Sequence, residues 1–400
     1  MTIGFTSRTV VSACAICVAG LLAVAPAAVA ARGRAGPDAP GGPHAAAPQP
    51  ALLYRSGIHA RTRTGAPEVP NVSALAWLVA DARTGDVLAA HNAHRGLPPA
   101  STLKTLFALT VLPSLPRGLR HTVRARELAE IGAGSSLVGL RAGRTYQVLD
   151  LWRGVFLNSG NDAVHVLAEL SGGWRSTAAR MQARARALGA RDTRVVSPDG
   201  YDTPGQVSSA YDLAVFGRAG LRNPEFAWYC GTVAARFPGG GGWSYPIRNT
   251  NRLLSGANGV RPYPGLIGVK NGYTSHAGNT LVAAARRDGR TLVVTVLNPQ
   301  SGGRFAVYEE TRALLDWGFA AAGRVDPVGS LDALRARPRP AAGAPAAAVL
   351  PVAAPPAAVP SAEEDRHGWP DTGAIVGAAA LGAGAVALAL RLGSGRAGRS

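Results

Sequence analysis

Apolar residues in the middle of the chain form short runs bounded by turn-forming residues. Residues 75–80 are one such run, residues 81–86 are rich in turn formers, and residues 87–90 are apolar again, which predicts a β-hairpin. Residues 280–285 and 291–297, joined around Asp288-Gly289, predict a second hairpin. Sheet-forming segments therefore stand near both ends of the region that is expected to fold.

The segments between the hairpins have helical character. Residues 101–109 predict a helix that stops before Pro113, and residues 148–188 predict helices interrupted near 158–161. After the second hairpin, residues 307–319 predict a closing amphipathic helix. The order of strands, helices and strands predicts an α+β fold rather than a repeated βαβ arrangement.

The pattern changes at both ends of the chain. Residues 1–30 predict a signal peptide, because an apolar run follows Arg8 and small residues at 28–30 suit cleavage. Residues 31–70 are predicted to be an Ala/Pro/Gly-rich spacer, and residues 71–322 to be the domain that carries the chemistry. Residues 323–368 are predicted to be a Pro/Ala-rich stalk.

Residues 369–400 predict a membrane anchor. The uncharged run 373–390 is just long enough to cross a hydrocarbon core as a helix, and arginines follow it. This predicts an exported protein on the extracytoplasmic face of the membrane, with a single pass and a cytoplasmic C-terminus. An alternative remains open, because residues 369–373 (Trp-Pro-Asp-Thr-Gly) resemble a sortase sorting signal, which would attach the protein to the cell wall.

Composition narrows the function classes. The 400 residues carry a formal net charge of +18, but the arginines are scattered, and no run of basic and aromatic residues indicates a nucleic-acid groove. Nucleic acid is therefore not expected as a partner. Removal of residues 1–30 leaves Cys230 as the sole cysteine, so we expect a core without an intrachain disulfide and a buried thiol.

Lysine is rare in this chain. Of its 42 basic residues only Lys104 and Lys270 are lysines, and both lie in short polar motifs. Arginine keeps its charge, whereas a buried lysine can lose a proton and serve as a base. The two lysines therefore mark positions where this difference can matter.

The first motif is Ser101-Thr102-Leu103-Lys104. Residues three apart share a helix face, so the hydroxyl of Ser101 and the amine of Lys104 are expected side by side. A serine becomes an effective nucleophile when a neutral amine accepts its proton. The alternative is an N-cap serine beside a surface lysine.

Two further motifs follow. Ser159-Gly160-Asn161 is expected to present a hydroxyl and a carboxamide from a loop, although an ordinary interhelix turn has the same composition. In Lys270-Asn271-Gly272-Tyr273-Thr274, the lysine offers a fixed positive charge, Asn271 and Thr274 offer hydrogen bonds, and Gly272 lets a substrate backbone approach. The alternative for this motif is an Asn-Gly turn with an exposed lysine.

Taken together, the motifs Ser-x-x-Lys, Ser-x-Asn and Lys-x-Gly, in this order, are typical of penicillin-binding proteins and class A β-lactamases. From about residue 71 to residue 319 the sequence resembles the low-molecular-mass penicillin-binding proteins that are serine D-alanyl-D-alanine carboxypeptidases. The resemblance implies a β-lactamase/transpeptidase-like α+β fold. In that fold an antiparallel sheet flanked by helices packs beside a mainly helical lobe, with the active site between them.

The resemblance also implies roles for individual residues. Ser101 would be the nucleophile and Lys104 its base, while Ser159 and Asn161 would orient Lys104 and relay protons. Lys270 would keep Lys104 poised and, with Thr274, receive the terminal carboxylate of the substrate. The residues implied in substrate binding are Lys270, Asn271, Gly272, Tyr273, Thr274 and Arg304.

Several expectations follow from these roles. The backbone N–H groups of Ser101 and Tyr273 would form the oxyanion hole. The partners would be peptidoglycan stem peptides ending in D-Ala-D-Ala and β-lactam antibiotics as covalent inhibitors, and no cofactor or metal would be needed. Asn271 departs from the family pattern, which usually has threonine at this position.

Other functions remain as alternatives. A class A β-lactamase needs a general-base glutamate after the second motif, and no glutamate occurs between Glu169 and Glu225. A zinc peptidase needs clustered ligands, and only His91 and His94 lie close in sequence, on a stretch expected to face solvent. A pseudoenzyme that binds penicillin or peptidoglycan without turnover is the third alternative, because Asn271 replaces the usual threonine.

Overall fold

A computed structural model describes residues 50–335 of the chain. The strands of this part are β1 (Ile58–Thr62), β2 (Ala76–Asp81), β3 (Asp86–His91), β4 (Arg120–Thr122), β5 (Thr145–Gln147), β6 (Ala234–Gly240), β7 (Trp243–Arg248), β8 (Leu266–Thr274), β9 (Gly278–Arg287), β10 (Arg290–Leu297), β11 (Val325–Asp326) and β12 (Gly329–Ser330). Its α-helices are α1 (Lys104–Val111), α2 (Val148–Leu157), α3 (Asn161–Leu170), α4 (Trp174–Ala187), α5 (Ala210–Leu221), α6 (Pro224–Gly231), α7 (Arg252–Ser255) and α8 (Ala306–Ala321). Single 3-10 turns cover Pro50–Tyr54, Ala100–Leu103, Leu112–Ser114, Ala125–Leu128 and Ala257–Gly259.

One antiparallel sheet organises the molecule. Its strand order is β11-β1-β3-β2-β10-β9-β8, and β12 pairs with β3 beside this path. Both predicted hairpins are confirmed, as β2–β3 and as β9–β10, and β8 lies at one edge of the sheet. Lys270 pairs with Val282 across β8 and β9, so the third motif lies on a strand rather than in a turn.

Both faces of the sheet are buried because helices cover each of them. On one face, Leu314 and Leu315 of α8 pack with Val79, Leu292 and Val294. On the other face α5 approaches so closely that a Cβ on Gly217 would lie 2.7 Å from the Val282 side chain. Apolar residues on both faces explain why the predicted strands were continuous apolar runs.

A helical lobe packs beside this sheet. Trp152 and Phe156 of α2 lie among Phe107, Phe226 and Tyr229, with ring centroids 5.1–6.4 Å apart. The predicted interruption near 158–161 is confirmed as the short connection between α2 and α3. The α+β architecture is therefore the predicted one, with the connection at the junction of sheet and lobe.

The predicted spacer and stalk boundaries are wrong where residues 50–70 and 323–335 are described. β1 pairs with β3 and β11, and β12 pairs with β3, so these residues belong to the sheet. β1 has the sequence Ile-His-Ala-Arg-Thr and is only half-buried, and β11 and β12 have two residues each. Such strands lack apolar alternation and depend on their partner strands for stability, so they cannot be predicted from their own sequences.

The remaining predictions for the chain ends lie outside the described residues. These are the signal peptide at 1–30, the first part of the spacer, most of the stalk, and the anchor at 369–400. Across residues 50–335, none of the helices combines the length and the apolar character needed for a membrane crossing.

Candidate active site

Ser101 lies at a sharp turn that leads into α1. Ala100 has a positive φ of 50°, and the 3-10 turn Ala100–Leu103 continues directly into the helix that begins at Lys104. Gly200 packs against this turn, and a Cβ there would lie 2.0 Å from the carbonyl oxygen of Ala100. Only glycine fits at position 200, so the turn before Ser101 is held by close backbone contact.

Lys104 lies beside Ser101 as predicted, but it is buried. Its Nζ is 2.7 Å from Ser101 Oγ and also donates to Asn161 Oδ1 and to the Asp199 carbonyl oxygen, both at 2.7 Å. The side chain is 1% exposed. Burial lowers the pKa of Lys104 to about 8, although the carboxylates of Asp199 and Asp162 oppose the shift. This amine can therefore give up its proton near neutral pH.

Ser159 and Asn161 come from the connection between α2 and α3. Ser159 is buried and has a φ of 57°, in the left-handed region that is rare for residues other than glycine. Asn161 donates through Nδ2 to Asp199 Oδ2 at 2.9 Å and to Ser135 Oγ at 3.0 Å. These acceptors fix the carboxamide so that its oxygen faces Lys104.

Lys270 reaches the same cluster from β8. Its Nζ donates to Ser159 Oγ at 3.1 Å and to the Asn271 carbonyl oxygen at 2.7 Å. Burial lowers the pKa of Lys270 well below its usual range, and the neighbouring amine of Lys104 lowers it further. This environment works against the fixed positive charge expected from the sequence, because burial and a second amine both favour the neutral form of Lys270.

The backbone of β8 lies against the nucleophile. A Cβ on Gly272 would be 2.7 Å from the backbone nitrogen of Ser101 and 2.6 Å from Thr280 Oγ1. The missing side chain thus allows β8 to approach Ser101 closely. The next residue, Tyr273, has an exposed side chain.

A cleft of about 570 Å³ opens beside this strand. Asn271 lines it, and its Oδ1 accepts a hydrogen bond of 2.9 Å from Thr250 Oγ1. Arg304 lines the same cleft, with its guanidinium 5.3 Å from the Phe305 ring centroid. Arg248 and Arg252 add two more cations to the lining, so this cleft is suited to an anionic group.

Thr274 makes contacts within the protein that the sequence did not predict. Its hydroxyl donates to Asp202 Oδ1 at 2.7 Å and accepts from the backbone N–H of Ala277 at 3.0 Å. The contact with Asp202 would compete with the predicted contact to a substrate carboxylate, because the hydroxyl has a single proton to donate. Its contact instead attaches the end of β8 to the loop that contains Asp202.

The two histidines considered as metal ligands are not solvent-facing. His94 is nearly buried, and its Nδ1 lies 2.7 Å from Asp192 Oδ2. Its ring stacks on Tyr54 at a centroid distance of 3.9 Å. His91 is partly buried, and desolvation lowers its pKa. Between residues 50 and 335, no cluster of three or more potential metal ligands occurs.

Sequence reasoning missed three residues that hold the motif side chains in place. Asp199 contacts both Lys104 and Asn161, Asp202 contacts Thr274, and Thr250 contacts Asn271. The sequence offers one signal for Asp199, which is the turn-forming stretch Ser197-Pro198-Asp199-Gly200. Thr250 and Asp202 lie in loops without a local pattern. Cys230 is buried, as expected.

As a whole, the site joins a serine, a buried amine of lowered pKa and backbone donors on a closely packed strand. This arrangement suits acyl transfer through a serine nucleophile. Residues 62–301 match the family model described as D-alanyl-D-alanine carboxypeptidase.

Similar proteins are also described as D-alanyl-D-alanine carboxypeptidases. The chain is 40% identical over 260 residues to the D-alanyl-D-alanine carboxypeptidase DacB2 of Mycobacterium tuberculosis, an alignment that covers 64% of this chain and 86% of that protein. It is 34% identical over 277 residues to DacD of Escherichia coli, covering 66% and 67%.

Solved structures agree with the fold. The crystal structure of a D-alanyl-D-alanine carboxypeptidase from Mycobacterium tuberculosis superimposes with a TM-score of 0.61 at 37% identity, covering 67% of this chain and 99% of that one. The Streptomyces K15 DD-transpeptidase superimposes with a TM-score of 0.58 at 28% identity, covering 64% and 100%. The predicted penicillin-binding fold is confirmed.

Proposed function

The chain belongs to the D-alanyl-D-alanine carboxypeptidase family, and we propose that Ser101 is the nucleophile with which it removes the terminal D-alanine of peptidoglycan stem peptides. The observation that carries this proposal is the contact of 2.7 Å between Ser101 Oγ and the buried amine of Lys104. A buried amine whose pKa is about 8 is a competent base near neutral pH.

Acylation begins when Ser101 Oγ attacks the carbonyl carbon of the penultimate D-alanine and its proton passes to Nζ of neutral Lys104. The backbone N–H groups of Ser101 and Tyr273 stabilise the oxyanion, and the close approach of Gly272 to Ser101 supports this pairing. The peptide bond then breaks, and D-alanine leaves with a proton supplied by Lys104.

We assign the relay of that proton to the hydroxyl of Ser159, which is buried in the same cluster as Lys104 and accepts a hydrogen bond of 3.1 Å from Lys270 Nζ. Asn161 keeps Lys104 in position through its carboxamide oxygen. Water then attacks the acyl-enzyme while neutral Lys104 takes one of its protons, and Lys104 passes that proton to the departing Ser101 oxygen as the ester bond breaks. One difficult hydrolysis is thereby divided into two easier steps.

The terminal carboxylate of the substrate binds in the cleft beside β8. The Thr250 hydroxyl donates to the carboxamide oxygen of Asn271. The Asn271 amide NH₂ group therefore remains as a hydrogen-bond donor for the substrate. Arg304 supplies a cation in the same cleft, and the carboxylate also favours the protonated form of Lys270. Asn271 thus performs the role expected of the usual threonine.

The proposal is tested by comparing D-alanine release from a stem-peptide analogue by the native protein and by Ser101→Ala. The native protein should release D-alanine and should bind a fluorescent penicillin covalently, whereas the variant should do neither. Equal release by the two proteins would refute the serine mechanism, and covalent labelling without release would indicate a penicillin-binding pseudoenzyme.

The activity is extracytoplasmic, since the substrate of this family belongs to the cell wall. We further propose that residues 1–30 direct export, that residues 369–400 anchor the protein in the membrane with its C-terminus in the cytoplasm, and that the sequence between 336 and 368 is a stalk. The apolar run and the arginines after it support the anchor. A chain that ends at residue 368 should move from the membrane fraction to the soluble extracytoplasmic fraction, and wall-bound native protein would indicate sortase processing instead.

A further inference from the structure

The hairpin formed by β6 and β7 presents an unusually exposed tryptophan. Trp243 is 60% exposed, and its ring lies on the backbone of Gly239, where an added Cβ would be 1.7 Å from a ring carbon. The Tyr245 ring is next to it, with centroids 5.3 Å apart and planes inclined by 33°. The glycine supports one face of the indole and leaves the other available to a partner.

The hairpin is attached to the rim of the active site. The Tyr245 hydroxyl donates to the Val138 carbonyl, and the backbone N–H of Val138 donates to Asp162 Oδ1 at 2.9 Å. Asp162 directly follows Asn161, whose own backbone N–H donates to Ser136 at 2.7 Å. The segment 136–140 therefore connects the tryptophan to the catalytic cluster through a few hydrogen bonds.

Apolar exposure continues along this rim. Leu137 is half-exposed, and its carbonyl oxygen accepts a hydrogen bond from Asn158, the residue before Ser159. Arg144 donates to the carbonyl oxygen of Gly239 at 2.6 Å, which fixes the glycine-rich tip of the hairpin. We call the surface of Trp243, Tyr245 and Leu137 the rim platform.

The other end of the hairpin leads into the cleft. β7 ends at Arg248, which lines the cleft together with Asn271 and Tyr273. The stretch 232–249 contains Arg236 and Arg248 and no acidic residue. β7 therefore links the rim platform to the substrate cleft, and the surroundings of the platform favour a ligand that combines apolar surface with negative charge.

We propose that the rim platform binds the glycan strand that carries the stem peptide, with the apolar face of a pyranose ring stacked on Trp243. This inference rests on the proposed function, because a stem peptide in the cleft brings its glycan to the rim. A sugar ring has one flat face of C–H groups that suits an indole, and the carboxylates of the stem peptides attached to the strand suit Arg236 and Arg248. Exposed aromatic side chains of this kind often dominate binding surfaces.

The test compares a free stem peptide with the same peptide attached to its disaccharide. In Trp243→Ala we expect kcat/KM to fall about tenfold on the disaccharide peptide, through a higher KM, and to change less than about twofold on the free peptide. Trp243→Phe should restore most of the difference. Trp228→Ala is the matched control, because Trp228 is 48% exposed but lies on α6 beneath Arg153. This variant should have the native kcat/KM on both substrates.

Other results would overturn the inference. Equal losses on both substrates would assign Trp243 a structural role, and no loss on either would exclude glycan contact. If Trp243→Ala abolishes self-association in sedimentation and leaves both kcat/KM values unchanged, the platform is an interface between copies of the chain.

The inference can also be separated from the proposed function. In the Ser101→Ala background, binding to purified insoluble peptidoglycan should decrease when Trp243→Ala is added. If the native protein fails to release D-alanine but this decrease is seen, the proposed carboxypeptidase function is refuted and glycan binding by the rim platform is supported. If D-alanine release is normal but the decrease in binding is absent, only the proposal that the rim platform binds glycan is refuted.

Discussion

The environments of Lys104 and Lys270 are alike in burial and different in partners. Both side chains are 1% exposed, and burial lowers the pKa of each. Lys104 has three acceptors, one of them the nucleophile, and nearby carboxylates support its charge. Lys270 has two acceptors, and the only charge that shifts its pKa is the amine of Lys104.

The difference teaches that burial alone does not define a catalytic base. Two lysines can both be driven toward neutrality, yet only the one that touches the serine can take its proton. The weaker charge support of Lys270 means that it should give up its proton more readily than Lys104. The following changes would break or sharpen this comparison.

The largest effect is expected for Lys104→Arg. Arginine keeps its proton, so acylation by a fluorescent penicillin should slow by roughly 10³-fold or more. Stopped-flow acylation at fixed pH measures the loss, and circular dichroism checks the fold. Near-native acylation would show that another group is the base.

Lys270 should tolerate arginine better, with a loss of about 10- to 100-fold, because its hydrogen bonds to Ser159 and Asn271 require donors only. In the native protein acylation should rise with pH through about 8, as Lys104 becomes neutral. A permanent charge in Lys270→Arg should lower the pKa of Lys104 and move this rise to lower pH. Lys270→Met should leave the midpoint in place.

The outcome of the pH profiles distinguishes two charge states. A midpoint that moves upward in Lys270→Met would mean that Lys270 is charged in the free enzyme, since removal of a like charge raises the pKa of its neighbour. The comparison drawn above would then be wrong for Lys270.

A smaller effect is expected one residue along β8. In Asn271→Thr the KM for a D-Ala-D-Ala peptide should stay within about threefold of native, whereas Asn271→Asp should raise it about tenfold, because like charges repel. Thr250→Val should raise KM a few-fold in the native background and have no effect in the Asn271→Thr background. An equal effect of Thr250→Val in both backgrounds would contradict an orienting role through Asn271.

The smallest effect on activity is expected for Asp212, a buried ionisable group outside the cleft. Burial, and to a lesser extent the negative charge of Asp192, raises the pKa of Asp212 to about 7. Hydrogen bonds to Asp212 Oδ2 from the Thr193 hydroxyl and the backbone N–H of Asp192 oppose this shift. Because the pKa is raised on folding, the stabilisation is complete below about pH 4 and is lost as the pH rises through about 7.

Asp212→Asn should remove that loss, about 1–3 kcal/mol in the free energy of unfolding between pH 4 and pH 8, and leave kcat unchanged. Urea unfolding of both proteins at several pH values provides the measurement. If the native protein and the variant show the same pH dependence, Asp212 is ionised throughout.

Much of the site could be predicted because its chemistry lies in short motifs. Ser101 and Lys104 are three residues apart, so a single helical turn brings them together whether it is a 3-10 turn or an α-helix. Asp199 could not be predicted in its role, since it meets Lys104 across 95 residues of sequence. The same applies to Asp202 and Thr274, which are 72 residues apart.

The fold shows a similar division. β2, β9 and β10 are buried apolar strands that can be recognised from their composition. In contrast, β1, β11 and β12 are short strands on one side of the sheet that depend on pairing with their neighbours. The lowered pKa of Lys270 was also beyond the sequence, because it depends on burial and on a second amine brought in from another element.

The sheet order has a practical consequence for handling the protein. The described chain enters the sheet through β1 and leaves it through β11 and β12, while the strand that contains Lys270 is at the opposite edge. Five strand spacings separate β1 from β8, about 24 Å at ~4.8 Å per spacing. Affinity tags, fluorophores or surface attachment at either end of the domain should therefore leave substrate access intact, which makes the protein suitable for immobilised assays of antibiotic capture.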